Sequence, residues 1–214
     1  MKDEINNHTQ NTDFTTNSIE STKWIDNKGR NQPFLPVHKR SLRFIDKIQE
    51  KNAKITMLEP DLLLTKNRMD INYRIEFLHD VFSNNVEPEN TLYFQFLSDK
   101  DNPSLVLSNT ILSENFQKLF VNIKKNGQVN PIFVAKYDSD SINTRYILDG
   151  KKHWKQYRND TGFQIIDGAH RLAVCHFLKH KVIPVKIIKP LSFEIPNYTD
   201  YIAVKENQYR NNLK

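Results

Sequence analysis

A single cysteine, five glycines and no long apolar run are the most restrictive features of this 214-residue sequence. With only Cys175 present, an internal disulfide framework and any multi-cysteine zinc site are excluded. Neither Gly-rich nucleotide pattern, Rossmann or Walker, occurs among so few glycines. Apolar runs such as Leu62-Leu63-Leu64 and Val182-Ile183 fall far short of the roughly 20 apolar residues a membrane helix needs. The first residues, MKDEINNHTQ, carry no apolar stretch, so no secretory signal is visible and a cytoplasmic location without a membrane partner is expected. What is there, 38% hydrophobic and 26% charged residues, suffices for one domain, or one and a half, with a real core.

Charge is unevenly spread. The net charge is +6, and residues 144–214 hold 13 Lys and Arg against six Asp and Glu, while the remainder is close to neutral. Such a basic third attracts the phosphates of a nucleic acid, a nucleotide or a phosphorylated metabolite. A Lys- and Asn-rich composition with solvated basic faces gives the same count.

Residues 1–37, rich in Asn, Thr, Ser and Asp, read as a disordered or loosely packed leader ending near Pro33 and Pro36. Residues 38–111 read as an N-terminal elaboration of helix and strand: a helix over 41–51 started by Ser41, a short strand at KITMLEP (54–60), and a helix from about Asp70. In that helix Ile71, Ile75, Leu78 and Phe82 share a face. Residues 112–190 read as the core. A helix over 112–127 begins at Ser113 and Glu114 and stops at Gly127, with Phe116, Leu119, Phe120 and Ile123 on its apolar side. Strands follow at QVNPIFVAKYD, RYILDG and FQIIDG, then a helix over 169–180 and a strand at KVIPVKII. KKHWKQYRNDTG (151–162) reads as a basic connection, and residues 191–214 as a C-terminal tail. The order of elements gives an α/β (α+β) class.

The segment that points to chemistry is Ile166-Asp167-Gly168-Ala169-His170-Arg171, a strand running straight into a helix. A Gly at the strand end lets the chain turn without a Cβ clash, and the helix amides that follow suit an anion. Asp167 is placed to bind magnesium or act as a base, His170 is a titratable donor, and Arg171 is a fork for phosphate. Read singly, each is ordinary: an Asp-Gly turn, a capping histidine, a surface charge.

In context they resemble the ParB/sulfiredoxin-like superfamily. The residues that carry the resemblance are Asn122-Ile123 through Gly127, Pro131-Ile132-Phe133-Val134, Asp167-Gly168-Ala169-His170-Arg171-Leu172-Ala173 and Ile183-Pro184-Val185. The resemblance implies a compact domain with a phosphate site at Gly168, Ala169, His170 and Arg171. Sulfiredoxins have a catalytic cysteine where Ala169 stands, and Cys175 lies on the following helix, as a small core residue. Chromosome-partition members continue into a helix-turn-helix domain for which about 26 residues after Ile188 leave no room. The wording is closest to the free-serine kinases, which implies ATP or ADP with Mg2+ as cofactors and phosphate transfer to the hydroxyl of serine, a sugar or a polyol. In that scheme Asp167 binds the metal or takes a proton and His170 donates to the phosphoryl oxygen. A nucleotide-binding module that acts on DNA or a protein without turnover is the alternative, and a homodimer is compatible with either.

The resemblance also implies an acid or base from the N-terminal part. Glu59, Asp61 and Asp70 compete for it, with Asp70 equally readable as a helix N-cap and Arg68 as its polar companion. Lys152, His153 and Trp154 in the basic connection, together with Arg68, are substrate-binding candidates. That connection reads as a base-stacking strip, a wall over a nucleotide or sugar phosphate, or a solvated loop with Trp154 tucked inward.

Overall fold

Short β-branched and aromatic runs bounded by Gly, Pro and Asn dictate strands here, and 3.6-residue periods dictate the helices between them. The computed structural model describes residues 24–25, 31–32, 51–99, 109–127, 130–137, 140–148, 151–189, 195–196 and 198–214. Two compact units divide the chain at Pro36. In Met1–Pro36, β1 (Trp24–Ile25) pairs antiparallel with β2 (Asn31–Gln32). The expected leader and the helix over 41–51 lie, but for these strands and Lys51, outside the described residues.

Val37–Lys214 holds the α/β (α+β) fold. In order come β3 (Ile55–Leu58), a 3-10 turn (Pro60–Leu63), α1 (Met69–Phe82), a second 3-10 turn (Pro88–Asn90), α2 (Leu92–Ser98) and α3 (Asn109–Asn126). Next are β4 (Ile132–Lys136), β5 (Ser141–Leu148), β6 (Lys151–Arg158), β7 (Phe163–Asp167), α4 (Ala169–Phe177), β8 (Ile183–Ile188), β9 (Ile195–Pro196) and α5 (Tyr198–Asn212). One sheet has the order β3-β8-β4-β7, with β4 and β8 parallel and the outer pairs antiparallel. β4 is buried on both faces, as a central strand must be: Ile132 and Val134 join the main core, and Phe133 the small cluster behind it. No helix among the described residues is long and apolar enough to cross a membrane.

The main core gathers Leu63, Phe77, Tyr93, Phe116, Leu172 and Tyr201, so it runs through the segments read as elaboration, core and tail alike. Gly127 ends α3 with φ 75° and an amide bonded to the Ile123 carbonyl, the expected left-handed cap.

Four local expectations are corrected. The basic connection 151–162 is mostly strand: β6 pairs with β5 in register from Ser141↔Arg158 to Leu148↔Lys151, and β9 joins on the other side of β5. Backbone pairing and cross-strand contacts hold this ribbon despite its few apolar residues. The tail contains α5, which buries Tyr198, Tyr201, Ile202 and Tyr209. α3 begins at Asn109, so Ser113 is a buried residue within the helix rather than its start. Arg68, not Asp70, is the N-cap of α1, with no side-chain cap bond.

Candidate functional site

The turn from β7 into α4 forms as the sequence dictates. Gly168 is the N-cap of α4 with φ 102°, and no side chain caps the first turn. A Cβ on Gly168 would meet Ile132 Cγ1 at 3.0 Å and the Arg171 guanidinium at 3.1 Å. Only glycine fits both the backbone and the space. The amides opening a nine-residue helix are therefore presented at the end of β7, an arrangement that suits an anion.

Arg171 does not reach outward as a phosphate fork. Its Nη2 donates to Asp167 Oδ2 at 2.6 Å and its Nη1 to the Pro131 carbonyl at 2.7 Å. The guanidinium thus braces the turn from behind, tying β7 and the start of β4 to α4. Asp167 keeps its second oxygen clear of that bond. No group of three or more His, Cys, Asp or Glu side chains that could hold a metal occurs among the described residues. A magnesium ion at this turn would have one protein carboxylate, that of Asp167, as its ligand, and would need its other ligands from outside the chain.

His170, on the first turn of α4, is held by residues that sequence reasoning missed. The Tyr93 hydroxyl and His170 Nε2 are 2.6 Å apart, and the Phe116 ring meets the imidazole edge-on at 4.8 Å. Tyr93 is 1% exposed, and burial raises its pKa despite the opposing Arg74. The Arg74 guanidinium lies 5.4 Å from the Tyr93 ring centroid.

Behind this pair lies a buried ion cluster. Asp70, fully buried, accepts from Arg68 Nε at 2.8 Å and Nη2 at 3.1 Å, and Arg74 Nη1 donates to the same carboxylate. Burial works to lower the Arg68 pKa, and Asp70 together with Tyr198 and Asp167 outweighs it, so the net shift is upward. Arg68 Nη1 also donates to the Ile165 carbonyl at 3.1 Å, two residues before Asp167. Asp70 is therefore a structural counter-ion, and its expected role as acceptor base is withdrawn.

The other two carboxylates stand elsewhere. Asp61 is 81% exposed and lies 3.5 Å from His176 Nε2, near the far end of α4, some six residues or ~9 Å along the axis from His170. Glu59 is exposed at the start of the first 3-10 turn. Asp167 is left as the one carboxylate of the expected set at the β7–α4 turn.

An open groove of about 580 Å³ borders Arg68. Its walls include Lys66 and Asn72 on one side, and Lys155, Tyr157 and Asp200 on the other. The walls are tied together: Tyr198 N donates to the Asn67 carbonyl at 3.1 Å, and Thr199 Oγ1 to the Lys66 carbonyl. Lys155 reaches Asp200 at 2.9 Å, and that hydrogen bond is the main cause of its raised pKa. The alternation of β6 separates the substrate-binding candidates. His153 is half-buried on the side of Lys155 and Tyr157, whereas Lys152 and Trp154 are exposed on the opposite face. Arg68 is thus not brought together with Lys152 and Trp154.

Comparison with protein-family models, with curated proteins and with solved structures finds no match to this chain.

Proposed function

We propose that this protein is a nucleotide-dependent phosphotransferase that binds ATP or ADP with Mg2+ and phosphorylates a hydroxyl of a small molecule such as serine, a sugar or a polyol. The observation that carries the reading is the glycine turn from β7 into α4: a left-handed Gly168, an uncapped helix start and an imidazole presented on its first turn. The amides of Ala169 and His170 would bind phosphate oxygens, and His170 would add a donor to the transferred group. Arg171 acts by bracing the turn and by holding Asp167. The oxygen of Asp167 outside its bond to Arg171 would serve either as the magnesium ligand or as the base that takes the acceptor hydroxyl's proton while the acceptor oxygen bonds to phosphorus and the nucleotide leaves. Positioning and charge neutralisation supply most of the rate in such transfers. The groove beside Arg68 is lined by none of residues 167–171, so the scheme places the acceptor at the turn itself, within reach of Asp167, and not in that groove.

The test is turnover. Protein incubated with ATP or ADP, Mg2+ and a panel of serine, hexoses and polyols should release the product nucleotide and show a new phosphomonoester by phosphorus NMR. Asp167→Asn should abolish this with circular dichroism unchanged. Full turnover in Asp167→Asn would sink the assignment. The second reading, a nucleotide-binding module without turnover, is favoured by one observation: β5 and β6 contain no acidic residue among sixteen.

A further inference from the structure

The hairpin β5–β6 has two chemically different faces, and only one of them packs on the domain. Ile142, Thr144, His153 and Tyr157 turn inward, where Ile142 and Thr144 are buried and the Thr144 hydroxyl donates to the Lys155 carbonyl. By strand alternation Lys152, Trp154, Gln156 and Arg158 of β6 share the outward face, and all four are exposed. Arg145 stands directly opposite Trp154 in the register, on that same face. At the centre is Trp154, 59% exposed, the most exposed large apolar side chain among the described residues. β6 is the edge strand of its sheet.

Lysines on an edge strand guard against unwanted pairing with other chains. An exposed tryptophan in their midst works against that purpose, so protection of the edge does not account for this face. Alternate residues along a strand are roughly 6.6 Å apart. That spacing is comparable to the phosphate repeat of an extended single strand, and it places cations at Lys152 and Arg158 on either side of an aromatic ring. Base stacking on an aromatic side chain flanked by cations is how single strands are held without regard to sequence.

We infer that the outward face of this hairpin is a binding platform for single-stranded nucleic acid, with Trp154 as the stacking residue and Arg145, Lys152 and Arg158 as phosphate contacts. The platform is independent of the phosphotransferase reading, because its residues lie on β5 and β6 and none belongs to the β7–α4 turn. The two strands bring no acidic side chain to this face, and the one beside it, Asp160, pairs with Arg158 Nε at 3.1 Å, so Arg145 and Lys152 are the cations away from that pair; an open ring among them favours a polyanion carrying flat bases over a protein partner.

The test uses the full chain with Trp24→Phe, which leaves Trp154 as the sole tryptophan. Fifteen-residue oligothymidylate and oligouridylate should quench its fluorescence. The logarithm of affinity should fall against the logarithm of salt with a slope of about −2, for three phosphate contacts on a single strand. Trp154→Ala, whose melting should be unchanged, should weaken binding about tenfold or more by anisotropy. A duplex of the same length should bind more weakly and leave Trp154 unquenched. The inference is overturned by no binding at low salt. It is overturned equally by quenching with polygalacturonate but not with either oligonucleotide, or by oligonucleotide binding that Trp154→Ala leaves unchanged.

Discussion

The Tyr93 hydroxyl and His170 Nε2 lie 2.6 Å apart, joining α2 to the first turn of α4 across 77 residues of sequence. A hydroxyl on Nε2 ties down one of the two imidazole nitrogens and fixes the orientation of the ring. Tyr93→Phe keeps the ring, its stacking and its burial, and removes the hydroxyl with its bond to His170 and its interaction with Arg74. Its expected cost is about 1 kcal/mol by denaturant unfolding. The sharper expectation is functional: nucleotide stabilisation in a thermal-shift assay should fall in Tyr93→Phe while the melting temperature without nucleotide changes little. Equal stabilisation by ATP or ADP in both proteins would show that Tyr93 does not position His170 for the nucleotide.

Asp70 and Asp61 separate a structural carboxylate from a solvated one. Asp70→Asn leaves Arg68 and Arg74 buried with their counter-ion neutralised, a class of change that costs about 3–5 kcal/mol. Asp61→Asn alters an exposed side chain, and its effect should stay within about 0.5 kcal/mol. Urea unfolding of the two variants side by side tests this. A mild Asp70→Asn would mean that the cluster tolerates a neutral centre, and a severe Asp61→Asn would reopen its claim to a role.

Gly168→Ala should be the most damaging single-methyl change at the turn. The position has φ 102°, and the added carbon would sit 3.0 Å from Ile132 and 3.1 Å from Arg171. The backbone strain alone costs on the order of 1–3 kcal/mol. Displacement of Arg171 should also loosen its bonds to Asp167 and Pro131, so nucleotide-dependent stabilisation should be lost beyond what the fall in melting temperature explains. By contrast Gly127→Ala, where nothing lies within 4 Å of the new carbon, should show only the strain.

What was legible in the sequence was whatever local chemistry dictates. The strand-Gly-helix signal at Asp167–His170 and the Gly127 cap each depend on a few adjacent residues, and both form where read. The partners of those residues were not legible. Nothing near His170 points to Tyr93, and Asp70 is readable as a cap only until Arg68 and Arg74 are seen to converge on it. The spacing of Asp70 and Arg74, four apart on a helix, was the one available hint. α5 escaped notice because its buried positions are mostly tyrosines, whose ring is apolar but whose hydroxyl reads as polar. Lys155 escaped because its partner, Asp200, comes from that helix.

Cys175 gives a pH-dependent prediction. Burial pushes its thiol from 9.0 up to about 12, with Arg171 opposing. The folded protein therefore holds the thiol proton more tightly than the unfolded chain does. The stability this contributes is fully present below about pH 9 and is lost as the pH rises towards 12, because the unfolded chain releases the proton first. One such group makes stability fall by up to about 1.4 kcal/mol per pH unit. The buried tyrosines Tyr73, Tyr93, Tyr137, Tyr201 and Tyr209 are also pushed up, from 10.0, so they add to the decline as the pH approaches and passes 10. Urea unfolding of Cys175→Ala beside the native protein between pH 8 and pH 10 isolates the cysteine, because the tyrosine contribution is common to both. Cys175→Ala should begin less stable, having lost a buried sulfur, yet decline less steeply across that interval. The same burial should make native Cys175 resist a thiol reagent at pH 8 until the protein is unfolded. Identical slopes for the two proteins, or rapid labelling of the native thiol, would mean that α4 opens readily enough to hydrate its core face, and the rigid helix start proposed for phosphate binding would lose its support.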